Sequence, residues 1–88
     1  MKHASHPDII VRLKRAEGHL RSILQMFDDG RSCVDLAQQL HAVEKAIANA
    51  KREFIHDHID HCLAESVGEG SKGAKAALKE LQTLTKYL

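Results

Sequence analysis

Between Gly30 and Gly68 the chain has neither a glycine nor a proline. Nothing in that stretch interrupts a helix, and its apolar residues follow a helical period with no strand-like alternation. Cys33, Leu36, Leu40, Val43, Ile47, Ala50, Phe54, His58 and Cys62 recur at alternating steps of three and four, the spacing of a helix face that pairs with another helix. Ser32-Cys33-Val34-Asp35 places an acid three residues after a capping serine and marks the start. The expectation is one helix from about Cys33 to Glu65, roughly 50 Å long at 1.5 Å per residue.

The flanking segments are shorter. Ser5-His6-Pro7-Asp8 reads as another helix start, with Ser5 as the cap and Pro7 in the first turn, where its missing N–H costs nothing. Ile10, Leu13, Leu20, Leu24 and Phe27 continue at helical spacing until Asp29-Gly30 stops the run. Residues 67–73, with glycines at 68, 70 and 73, read as a joint, and Ala77, Leu78, Leu81, Leu84 and Leu88 then outline a short third helix. The expected architecture is all-α: one domain over residues 1–88, a flexible tail at 1–6, and three helices with a long central one. At 88 residues the chain is small for a self-sufficient core, so the central helix is expected to bury its stripe against a copy of itself.

The ends of the stripe carry a different chemistry from its middle. Ordinary packing accounts for the apolar middle, and would account for one lone cysteine. His56-Asp57-His58-Ile59-Asp60-His61-Cys62, however, sets His58 and Cys62 at i and i+4 on one face, with Cys33 on the same stripe at the far end. Cys33 and His58 are 25 positions apart, about 37 Å along a straight helix, so one chain cannot bring both to a single metal ion. Two copies paired antiparallel about a two-fold axis near Ala46-Ile47 bring Cys33 of each copy to His58 and Cys62 of the other, making two identical sites. His56 falls on the opposite side and reads as solvated. His61 lies about 60° from His58 on the helical wheel and reads as an exposed imidazole or as support behind the ligands. Asp57 and Asp60 are either solvated charges or carboxylates that orient a ligating imidazole.

Two thiolates and one imidazole form a soft, trigonal set suited to Cu(I), and to Zn(II) with a fourth ligand; Ni(II) or Co(II) requires further nitrogen donors. His3, His6 and the terminal amine, ahead of the first helix, are candidates for that role. His19 and His41 read as ordinary helix residues. No apolar run approaches the ~20 residues of a membrane span, and no signal-like segment follows the basic start. The two cysteines therefore read as ligands or sensors in a cytoplasmic protein, not as a disulfide.

Arg12, Lys14, Arg15 and Arg21 cluster on the first helix around one acid, Glu17, and the second adds Lys45, Lys51 and Arg52. A net charge of +1 does not decide between a solvated face with i, i+4 pairs such as Glu17–Arg21 and a nucleic-acid surface. Assembly into a dimer or tetramer would repeat the patch, so that it could follow a duplex through its phosphates.

These segments resemble a known family. Arg12-Leu13-Lys14-Arg15-Ala16-Glu17-Gly18-His19-Leu20 looks like the R-x-x-R-x-x-G-[QH]-[IL] run in the first helix of the CsoR/RcnR metal-responsive repressors. The run from Cys33 to Val43 resembles the segment around their first ligand, and the spacing Cys33, His58, Cys62 is similar to their ligand fingerprint. The resemblance implies an antiparallel helical dimer, assembling as a dimer of dimers, that binds double-stranded operator DNA and releases it when an effector binds. It also implies that Arg12 and Arg15 contact DNA. Copper(I) sensors of the family use Cys, His, Cys, as here; nickel or cobalt sensors add an N-terminal histidine. Formaldehyde sensors carry a proline where Lys2 stands and lack the last cysteine, and persulfide sensors lack the histidine. Ser32 replaces the aromatic found before the first ligand of some copper sensors. With the histidine-bearing tail, this favours Ni(II) or Co(II) as effector, with Cu(I) the alternative.

The candidate metal set is accordingly Cys33, His58, Cys62, His3 and His6, and the candidate DNA set Arg12, Lys14, Arg15, Arg21 and Lys45. A metal carrier that never touches DNA, and a thiol sensor bridging Cys33 and Cys62 between chains, are the competing functions. An enzyme is not expected, because no cofactor-binding motif is present and these ligands could saturate the metal.

Overall fold

The computed structural model describes residues 6–66 and 70–88, with side chains at 6–61 and 73–88. Three helices, α1 (His6–Asp28), α2 (Cys33–Ser66) and α3 (Gly70–Leu84), are followed by one 3-10 turn at Thr85–Tyr87. The breaker-free stretch forms a single helix of 34 residues. It starts where the capping pattern places it, with the Asp35 N–H donating to Ser32 Oγ at 3.1 Å.

Gly30 ends α1 through its backbone freedom. Its φ is +72°, and around it the Arg31 N–H reaches Met26 O at 3.1 Å while the Gly30 N–H reaches Phe27 O at 3.2 Å. That pair of bonds is a Schellman closure, and a side chain at its left-handed residue costs roughly 1–2 kcal/mol. Two boundaries differ from expectation. His6, placed in the tail by its sequence, is the first residue of α1, and α3 begins at Gly70, so residues 70–73 of the expected joint are helical. Glycine lowers helix stability by only about 1 kcal/mol per position and is tolerated at a helix start. The apolar face of α3, with Ala77 buried and Leu81 and Leu84 half-buried, offsets that cost. Residues 67–69 lie outside the described residues.

The chain divides into two compact units. In Pro7–Ala50, α1 and the first part of α2 form a helical hairpin closed around Ala16, Ile23 and Val43. Ile23 is 1% exposed, the largest fully buried side chain among the described residues. The α1 residues that are buried are Ile9, Ala16 and Ile23, in steps of seven. Ile10, Leu13, Leu20, Leu24 and Phe27, the run that helical spacing singled out, remain exposed, Leu24 at 64%. α1 thus carries two apolar lines, and the hairpin closes on the one whose central residue is a small alanine, which permits close approach of the helices.

The stripe of α2 divides in the same way. Leu36, Val43 and Ala50 are buried, whereas Cys33, Leu40 (41%) and Ile47 (45%) are exposed. A single neighbouring helix covers one of the two lines and leaves the other facing outward.

The other unit comprises Lys51–Leu88 together with His6. Ile55 on α2 and Ala77 on α3 are buried there. The His6 ring packs against Phe54 with centroids 5.4 Å apart and planes tilted by 37°. Among the described residues no helix is long and apolar enough to cross a membrane.

Candidate metal centre and basic face

His58 sits half-buried on α2, and its imidazole is held from α3: Nε2–H donates to Glu80 Oε1 at 2.7 Å. Committing Nε2 to the carboxylate places the proton there and leaves the Nδ1 lone pair as the donor available to a metal. The ring is thus oriented as a ligating histidine is in metal sites, and the residues present fit a bound cation. Glu80 is the one acid of α3. That isolation was the available hint in the sequence, since a separation of 22 positions shows no helical pairing.

The acids of the histidine-rich run behave differently from one another. His61 Nδ1 lies 2.8 Å from the Asp57 carbonyl oxygen and 3.1 Å from Asp57 Oδ1, so Asp57 orients His61, one turn away. Asp60 and His56 are exposed. Cys33 is a free, exposed thiol at the first residue of α2. His6, against Phe54, is placed one helical turn ahead of His58 along α2. His3 and the side chain of Cys62 lie outside the described residues. Among the described residues no three His, Cys, Asp or Glu side chains converge within one chain. One protomer therefore presents an oriented imidazole and an exposed thiol, two donors of an unfinished set.

On the opposite chemistry, Arg12, Lys14, Arg15 and Lys45 are all exposed. Arg21 lies 3.5 Å from Glu17, with both side chains mostly in solvent (74% and 68% exposed). Such a pair contributes about 0–1 kcal/mol, so Arg21 keeps its charge available to a polyanion. Arg12 and Arg15 border a cleft of about 280 Å³ between α1 and α2, completed by Ala16, His19, Ala46 and Asn49. His19, which periodicity alone leaves without a role, is half-buried, and its Nε2–H donates to Gln39 Oε1 at 2.6 Å across the hairpin.

The family model for a metal-sensitive transcriptional repressor matches residues 5–87. The copper-sensing transcriptional repressor CsoR of Bacillus subtilis (strain 168) is 36% identical over 77 residues, covering 85% of this chain and 76% of that protein. The copper-sensing transcriptional repressor RicR of Mycobacterium tuberculosis is 35% identical over 69 residues, 78% of this chain and 72% of its own length. Among solved structures, the nickel-responsive transcriptional regulator InrS superposes with a TM-score of 0.85 at 28% identity, covering 100% of this chain and 98% of its own. The copper-sensing repressor CsoR with Cu(I) from Geobacillus thermodenitrificans NG80-2 gives 0.80 at 32% identity, covering 98% and 88%.

Proposed function

This chain belongs to the family of metal-sensitive transcriptional repressors, and from that premise we propose that it holds operator DNA as the apo-protein and releases it on binding Ni(II) or Co(II). It is a regulator, not an enzyme. The working unit is a cytoplasmic antiparallel dimer, assembled further as a dimer of dimers. In it Cys33 of one protomer joins His58 and Cys62 of a second.

The outward line of α2 supports that pairing. Cys33, Leu40, Ile47 and Phe54 recur every seven residues and are all exposed, which is the seam a second long helix would cover. The exposed apolar line of α1, with Leu13, Leu20 and Phe27, offers a second contact for the higher assembly. Within each chain Glu80 keeps the His58 ring turned so that Nδ1 is free to ligate. A bound metal supplies a fixed link between donors of two protomers; Arg12, Lys14, Arg15, Arg21 and Lys45 meet phosphates in a spacing set by how the protomers pack. A coupling of about 1–3 kcal/mol between the two sites shifts DNA affinity by about 5- to 150-fold.

The observation that carries the choice of metal is the position of His6. Its ring lies against Phe54, so the N-terminal arm, with His3, runs towards the ligand end of α2 and brings the extra nitrogen donors that Ni(II) and Co(II) require. A second reading, Cu(I), is favoured by the copper-sensing relatives and by the softness of a two-thiolate, one-imidazole set. The test is binding to a duplex that the apo-protein selects from a randomised pool, with and without each ion. Release by Ni(II) or Co(II) at concentrations where Cu(I) leaves the complex intact supports the first reading, and the reverse supports the second. An apo-protein with no salt-sensitive, sequence-selective binding ends both and leaves a metal carrier or thiol sensor.

A further inference from the structure

We propose that the cleft between α1 and α2 is a seat for a single phosphoryl group, gripped by Arg12 and Arg15 and faced by Asn49, and that on DNA it holds one backbone phosphate. The duplex half of this inference rests on the repressor reading above; the phosphoryl seat itself does not.

The lining of the cleft carries the argument. Its six residues, Arg12, Arg15, Ala16, His19, Ala46 and Asn49, include two guanidiniums, an imidazole and an amide, and no carboxylate. Elsewhere in the hairpin the arginines have acidic neighbours: Arg21 beside Glu17 and Arg31 beside Asp35, each at 3.5 Å. Among the described residues Arg12 and Arg15 make no such pair. They stand three residues apart on α1, so both side chains leave the same face. The floor between the two helices is made of methyl groups, Ala16 and Ala46, and that lack of bulk is why a cleft exists where larger residues would close the hairpin.

The width of the cleft is also set. The 2.6 Å bond from His19 to Gln39 ties α1 to α2 at one end, while Ala16 is packed in the hairpin core with Ile23 and Val43. A volume of about 280 Å³ exceeds what one phosphoryl group fills and leaves room for ordered water, which occupies about 30 Å³ per molecule. Guanidinium forks match the paired oxygens of a phosphate. Asn49, on α2, adds a neutral donor from the other wall. A phosphate seated here lies against two helices at once and fixes the register of the hairpin on a duplex, beyond the diffuse attraction of exposed lysines.

Two measurements on the full apo-protein test this. The first titrates isotopically labelled protein with inorganic phosphate against chloride at matched ionic strength, following the side-chain N–H signals of Arg12, Arg15 and Asn49. Saturable shifts confined to this cleft, abolished by Arg15→Gln, are expected. The second replaces the phosphates of the selected duplex one at a time by neutral methylphosphonate. One symmetry-related position should cost the wild-type protein about tenfold in affinity, the loss expected for a hydrogen bond to a charged group, and should cost Arg15→Gln almost nothing. Asn49→Ala should blunt the same position while leaving the thermal midpoint unchanged.

A coupled duplex position supports the proposal whether or not free phosphate binds strongly enough to register. Cleft shifts without any duplex binding support the seat as a free-phosphate site and overturn the repressor reading. Cleft shifts with a bound duplex but no coupled position overturn the DNA half. A bound duplex with neither shifts nor a coupled position overturns the seat and leaves the repressor reading standing.

Discussion

Replacing Glu80 with alanine removes the acceptor that turns the His58 ring. The bond is short, Nε2 to Oε1 2.7 Å, and joins α3 to α2, so without it the imidazole regains its rotamers and can offer either nitrogen. Removing such a support behind a ligating histidine typically lowers metal affinity about 10- to 100-fold. Here the His58 side chain is 23% exposed but that of Glu80 is 51% exposed, and solvent screening of the carboxylate places the expected loss at the lower end. About tenfold, or about 1.4 kcal/mol, is the figure for Glu80→Ala. Glu80→Gln keeps an accepting oxygen and loses the charge; since charge assistance roughly doubles a hydrogen bond, about threefold is expected. The assay is competition for Ni(II), Co(II) and Cu(I) against a colorimetric chelator at fixed pH. Helical content is checked by circular dichroism, and His58→Ala marks loss of the ligand itself. If both Glu80 variants hold every metal within twofold of the wild type, the carboxylate does not orient a ligand and the argument from the His58 tautomer fails.

Ile23→Ala opens a cavity at the most buried large side chain of the hairpin, and a loss of about 2–5 kcal/mol is expected in urea unfolding, read at a metal-free, fixed protein concentration. Ile47→Glu, on the outward line of α2, puts a carboxylate into the proposed seam. Sedimentation velocity should show a shift from oligomer to protomer with helix content retained, and an unchanged oligomer would show that this line is not the interface.

Much of the secondary structure is legible along the chain because its causes are local. Gly30 stops α1 since a left-handed residue is needed there, and Ser32 starts α2 by accepting the Asp35 N–H. The position of His58, Cys62 and Cys33 on one stripe of α2 likewise follows from 3.6 residues per turn. The limits of α3 were harder to read, because its glycines are tolerated at a helix start and the apolar face beyond them does the stabilising.

The site was legible only in its ligands. Asp57, adjacent to His58 in the chain, turns out to serve His61, whereas the acid that holds His58 comes from another helix. His19 and Asn49 give no sign in the pattern of the cleft they help to line. Their surroundings arise from side chains 20 or more positions away, as with Gln39 opposite His19.

By itself, then, the sequence determined where the helices run, which residue types share a face, and that one chain lacks the reach to bring Cys33 to His58. Tertiary structure decided which half of each apolar face is covered. Periodicity makes Leu36, Val43 and Ala50 equivalent to Leu40 and Ile47, and makes Ile9, Ala16 and Ile23 rivals of Leu13, Leu20 and Phe27. Only the packing of one helix on the other distinguishes them, because burial depends on the shape of the facing surface, and that surface is built from residues distant in the chain.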